Sequence, residues 1–113
     1  MVRRWRRPQA AALLAACVMG CAPPRDPIIV SQGMLVLENQ TTREWRDVRI
    51  TVNDHFHGGV ASLLPGGRLN APLRDFETGF GQRFDRGRMS VFRVHVTATD
   101  VDGKAVAVHW GKP

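Results

Sequence analysis

From Asp47 to Asn53 the chain alternates without a break, with Val48, Ile50 and Val52 apolar and Asp47, Arg49, Thr51 and Asn53 polar. A period of two cannot bury a continuous face on a helix, so this stretch must be a strand with one face against a core and one face in water. The same grammar governs everything after Ile28. Short β-branched or apolar runs are separated by turn clusters, and no helical spacing persists over a dozen residues.

Ile28-Ile29-Val30 is a first short run, and Met34 to Glu38 is a clearer strand stopped by Asn39-Gln40-Thr41-Thr42. After the alternating strand, Asp54 to Gly59 reads as the turn, because Gly58-Gly59 can take positive φ. Val60 to Leu64 then begins the return. Pro65-Gly66-Gly67 marks the next turn, and Leu69 to Leu73 follows with Pro72 suited to an edge or a strand end.

Phe76, Phe80 and Phe84 recur at helical spacing, but Gly79, Gly81 and Gly87 oppose a helix. The segment Asp75 to Arg88 therefore reads as a long loop whose phenylalanines fold back onto the open end of the core. Ser90 to Thr99 forms a second long strand, with Phe92, Val94, Val96 and Ala98 inward and Arg93, His95, Thr97 and Thr99 outward. Asp100 to Gly103 turns the chain, and Lys104 to Trp110 closes a hairpin with Val106, Val108 and Trp110 inward. The expected fold class is all-β, a small antiparallel β-sandwich of six or seven strands. A small open barrel is the competing architecture.

The first twenty residues follow a different logic. Arg3, Arg4, Arg6 and Arg7 precede an apolar run from Ala10 to Met19 that ends at the small Gly20, the layout of a secretory signal. The run is about half the roughly 20 residues needed to span a bilayer, so it reads as a removable segment. Its Ala and Leu content predicts a helix over 8–19. Arg3-Arg4 is not followed by the remainder of a twin-arginine signal.

Val18-Met19-Gly20-Cys21 resembles the lipobox of bacterial lipoproteins. The resemblance implies cleavage between Gly20 and Cys21 and a diacylglyceryl thioether on the Cys21 sulfur. It also implies acylation of the new amino group. Each buried methylene contributes about 0.8 kcal/mol, and two or three chains make a stable anchor. Ala22, directly after the lipidated cysteine, favours the outer membrane by the same resemblance. Cys17 would leave with the leader, so the processed chain would hold no disulfide. The covalent diacylglycerol is then the only added group, and no other cofactor is expected.

Processing also changes the charge. The chain has 16 Lys and Arg against 10 Asp and Glu. Four arginines and no acid lie in the leader, which leaves 12 against 10, a net charge of +2. Such a balance gives no basis for nucleic-acid binding. Three prolines between Ala22 and Pro27 fix φ and remove donors, so residues 21–32 read as the lipidated Cys plus a tether, lifting the domain about 20 Å. Residues 1–20 are the signal peptide and residues 33–113 the β-sandwich domain. Its pattern is similar to immunoglobulin-like and fibronectin-type-III-like modules of bacterial envelope proteins, although the Cys…Trp…Cys spacing of true immunoglobulin domains is absent.

Candidate chemistry is sparse. His55 and His57 would face the same side of an extended chain, next to Asp54, which supplies two metal ligands; His95 or His109 must be brought close to complete a site. Ordinary solvated histidines are the simpler reading, so no metal is assigned. Arg83, Arg86, Arg88 and Arg93 form the densest basic stretch after the leader, either a solvated face or a contact for anionic head groups. Trp45 and Trp110 read as core. No nucleophile elbow, free thiol after lipidation, or tyrosine is present, and the close carboxylate pair Asp100–Asp102 lies in a turn. The sequence thus predicts a protein that is not an enzyme, held at the membrane by lipid and facing the periplasm, with an envelope protein as partner. A metal- or small-ligand-binding lipoprotein using His55 and His57 is the alternative.

Overall fold

The computed structural model describes residues 25–113. The leader helix expected over 8–19, the signal peptide, Gly20, Cys21 and the first part of the tether lie outside the described residues. Seven strands follow: β1 (Ile28–Ser31), β2 (Met34–Glu38), β3 (Trp45–Val52), β4 (Phe56–Leu63), β5 (Arg68–Pro72), β6 (Arg93–Asp100) and β7 (Ala105–Gly111). A short 3-10 helix, Leu73–Asp75, leaves β5. They form a three-stranded sheet ordered β1-β2-β5 and a four-stranded sheet ordered β4-β3-β6-β7, with every pair antiparallel. The two sheets share no strand pairing, so the architecture is a sandwich and not the barrel. Because β1 pairs along its whole length with β2 and Ile28 is fully buried, the folded unit takes in residues 28–31 of the stretch read as tether.

The core lies between the sheets. Leu35 and Leu37 of β2 meet Val48, Ile50 and Val52 of β3 and Val94 and Val96 of β6, all buried. The expected alternation holds through Val52, but Asn53, expected on the wet face, is buried, and so is Trp45, three residues before Val48. Trp45 and Val48 can both face inward because the β3–β6 register shifts between Arg46 and Arg49, where Asp47 adopts φ 52°. This β-bulge resets the parity of the strand. The closing hairpin β6–β7 forms as expected, pairing Ala98 with Val106 and Val94 with Trp110. Phe92 departs from the expected inward row: the strand begins at Arg93, and Phe92 stays 42% exposed.

The glycine pair also differs from expectation. Gly58 and Gly59 lie inside β4, and the turn is the tighter Asn53–His55. Their use is the missing Cβ. At Gly59 a Cβ would stand 2.2 Å from the Val48 carbonyl oxygen, and at Gly58 it would meet the Phe76 ring at 2.8 Å.

Two buried asparagines tie the ends together. Asn39, fully buried, donates from Nδ2 to the Leu63 carbonyl at 3.0 Å and the Arg43 carbonyl at 2.8 Å. Its Oδ1 accepts from the Thr41 amide and hydroxyl. This joins the end of β2, in one sheet, to the end of β4, in the other. Asn53 does similar work at the opposite end: Nδ2 donates to the Ser90 carbonyl, and Oδ1 accepts from the Phe92 and Arg93 amides. Buried polar groups satisfied this fully fix geometry as well as stabilise.

The strands run alternately between two poles. The described chain begins at the proximal pole, with Ile28, Asn39, Trp45, Leu63 and Asp100; the Asn53 turn, the 73–92 segment and the end of β7 lie at the distal pole, about 25 Å away for an eight-residue strand.

Candidate functional site

The distal pole is built from two irregular segments. Asn53 and Asp54 both take the left-handed conformation, φ 51° and 68°, which their short polar side chains tolerate and which closes β3 onto β4 within a few residues. Across from this turn, residues 76–84 fold into a small hairpin. The Phe84 amide donates to the Phe76 carbonyl at 2.9 Å, Glu77 bridges Arg83, and the Thr78 amide donates to the Gln82 carbonyl at 2.8 Å. Glu77 also pairs with His57 on the edge of β4, the His57 amide donating to its carbonyl at 2.8 Å.

The three phenylalanines therefore divide. Phe76 and Phe84 are buried at the hairpin base, Phe84 meeting Phe56 edge-to-face with ring centres 5.3 Å apart. Phe80 sits at the tip between Gly79 and Gly81 and is fully exposed, at 101%. The expectation that all three cap the core is corrected at Phe80: the Thr78 hydroxyl accepts from the Phe80 and Gln82 amides and holds the tip in a turn that points away from the core. Between the tip and the Asn53 turn lies an open groove of about 480 Å³, walled by Phe80, floored by Phe56 and Met89, and rimmed by Asp54, His55, His57 and Gln82.

The basic stretch lies at this pole too, and much of it is engaged locally. Arg93 pairs with Asp54, donates from Nε to the Lys112 carbonyl at 3.2 Å, and lies 5.6 Å from the centre of the Phe92 ring. Arg86 packs over Gly33, and Arg88 approaches Asp85 at 3.7 Å. Arg83 is exposed on the hairpin's return arm.

His55 and His57 both border the groove, but only His57 belongs to a strand; His55 ends the turn. His95 and His109 pair across β6 and β7, away from the groove, on the outer face of the four-stranded sheet. Among the described residues no group of three or more His, Cys, Asp or Glu is placed to hold a metal ion. Trp45 is core and Trp110 half-buried against it.

The shifted carboxyls belong to the proximal pole. Glu38 is held below its ordinary value, first by the Gln40 side-chain amide, which outweighs the opposing loss of solvent, and then by Arg25 and Arg68. Asp100 is lowered chiefly by the Lys104 and Asp102 backbone amides that close its turn, with Arg43 adding its charge. The Asp100–Asp102 pair thus shapes a turn.

Sequence reasoning missed the exposure of Phe80 and the clamping by Asn39 and Asn53. The glycines flanking Phe80 were the available signal, since a large ring between two residues without side chains suits a turn tip better than a packed stripe. Comparison with known proteins finds no matching family model, no matching curated protein and no matching solved structure.

Proposed function

We propose that the chain is a non-catalytic, lipid-anchored protein of the bacterial cell envelope. In this reading an immunoglobulin-like or fibronectin-III-like sandwich presents its distal pole to a protein partner in the periplasm. The strand division supports that fold. With the strands lettered in chain order, β1-β2-β5 and β3-β6-β7 match the A-B-E and C-F-G sets of an immunoglobulin constant-type sandwich. The departure is β4, which joins β3 in the four-stranded sheet instead of flanking β5.

One observation carries the functional reading: a fully exposed phenylalanine on a hairpin fixed by two buried ones, at the pole opposite the start of the described chain. An anchor on Cys21 would put Arg25 and Ile28 nearest the membrane and Phe80 farthest from it. The hairpin's rigidity lowers the ordering cost of binding, and aromatic side chains make the strongest interface anchors. Confinement to a surface raises the effective concentration of this pole toward a membrane-associated partner. With such an anchor Arg83, Arg86, Arg88 and Arg93 would lie far from lipid head groups, which favours their local structural roles.

Mass spectrometry of the protein from its native host tests the anchor: a chain starting at Cys21 with acyl chains attached is expected. An intact leader or an unmodified thiol refutes it. Affinity capture with wild type, Cys21→Ala and Phe80→Ser tests the presentation. Equal recovery of the same partner by wild type and Phe80→Ser would refute the role of the distal pole. A second reading, a metal- or small-ligand-binding module, rests on His55 and His57 bordering one groove; a ligand whose affinity falls in both His55→Ala and His57→Ala would support it.

A further inference from the structure

Three of the chain's four histidines fall in a single cross-strand row. Thr51 of β3 is opposite His57 of β4 on one side and His95 of β6 on the other, and His95 is opposite His109 of β7. All three histidines are exposed. No local spacing in the sequence brings them together; three strand registers do.

Within the row, His95 and His109 are direct neighbours. Directly opposed residues on one face of an antiparallel pair have Cβ atoms about 5 Å apart, and here the ring centres are 6.2 Å apart at an interplanar angle of 59°. A metal-to-nitrogen distance of about 2.0 Å sets each ring centre about 3 Å from the ion, so two imidazoles sharing one ion stand up to about 6 Å apart. A small side-chain rotation brings the observed pair within that span. His109 is also oriented from behind: its Nε2 lies 3.0 Å from the Lys112 carbonyl oxygen. A carbonyl can only accept, so Nε2 carries the proton and Nδ1 keeps its lone pair, the arrangement by which an outer hydrogen bond fixes a histidine as a metal ligand. The outward neighbours of His109 on β7 are Ala107 and Gly111, which leave the approach open to water. Arg93 of β6 donates from Nε to the same Lys112 carbonyl, and its charge is paired with Asp54. His57 stands two strands from His95, about 10 Å, beyond reach of an ion shared with His109.

We infer that His95 and His109 form a two-imidazole site for a borderline divalent transition metal, its remaining positions filled by water. By ligand type and affinity order Cu2+ is held most tightly and Zn2+ less so. The site is separate from the groove at His55 and His57 and does not depend on the lipid anchor.

The test is Cu2+ titration of the full chain carrying Cys17→Ser and Cys21→Ser, which removes competing thiols, followed by calorimetry and electron paramagnetic resonance. One saturable Cu2+ per chain with two nitrogen ligands is expected. His95→Asn and His109→Asn should each weaken binding by at least about tenfold, while His55→Asn and His57→Asn stay within about twofold. In the otherwise wild-type chain, amide resonances around residues 95 and 109 should broaden while those of 53–57 stay sharp, a readout independent of any histidine variant's folding. Absence of saturable binding, unchanged binding in the doubly substituted His95→Asn/His109→Asn chain, or a loss in His57→Asn as large as in His109→Asn would overturn the assignment.

Discussion

Replacing Asn39 with alanine removes four side-chain hydrogen bonds, two donated to the Arg43 and Leu63 carbonyls and two accepted from Thr41. Only the bond to Leu63 is buried at both ends. Leaving that acceptor without its partner costs about 1–3 kcal/mol, and the three part-buried bonds, whose partners regain water, add roughly 1 kcal/mol together. The expected loss is therefore about 3 kcal/mol, a large share of the roughly 5–15 kcal/mol that holds a domain together. It corresponds to a melting temperature lower by about 12–24 °C. Urea unfolding followed by fluorescence of buried Trp45 measures it, the midpoint falling with the slope unchanged. Thr41→Ala, which removes one exposed hydroxyl, should cost under about 1 kcal/mol. A cost for Asn39→Ala below about 1 kcal/mol, or one equal to that of Thr41→Ala, would refute the idea that this residue joins the sheets.

Gly59→Ala should destabilise by about 1–3 kcal/mol or more, because its Cβ would overlap the Val48 carbonyl, whereas Gly79→Ala, with nothing near the added carbon, should be neutral in the same urea assay. Phe76→Ala should cost about 3–5 kcal/mol, while Phe80→Ser should leave the midpoint within about 0.5 kcal/mol; a comparable loss for Phe80 would mean that its ring packs in solution. Glu38 and Asp100 are both lowered from ordinary values of 4.5 and 3.8. Their contribution is present above those values and disappears as pH falls through the lower folded-state ones, so stability should decline in that acid range. Glu38→Gln should flatten part of the decline, and an unchanged acid limb in acid titrations of both proteins would contradict its role.

Local patterning reached the strands that alternate: Val48, Ile50 and Val52 declare their own buried face, and so do Val94, Val96 and Ala98. It reached Trp45 as core but could not show how Trp45 and Val48 share one face, because the extra residue at Asp47 that turns both inward leaves no trace in a polar Arg-Asp pair. Gly58-Gly59 misled for a related reason. Glycine is used for its torsional freedom and also for its lack of bulk, and only the position of Phe76 and of the Val48 carbonyl tells which applies. The spacing of Phe76, Phe80 and Phe84 imitated a helical stripe, whereas a hairpin sends the middle ring outward and the outer two inward. The histidine row was least legible of all, since it depends on the β3–β4, β3–β6 and β6–β7 registers together.

Five strands, an odd number, precede Phe80 in the described chain, which has a further consequence were the body held at its start and gripped at that ring. Tension between those two points runs along the strand axes, so β1 is drawn lengthwise against β2 and their four paired positions are loaded in shear, together. An even number of strands before the hairpin would put attachment and grip at one end and let the ladder peel open one rung at a time. Under such a load the β1–β2 seam would take the strain first.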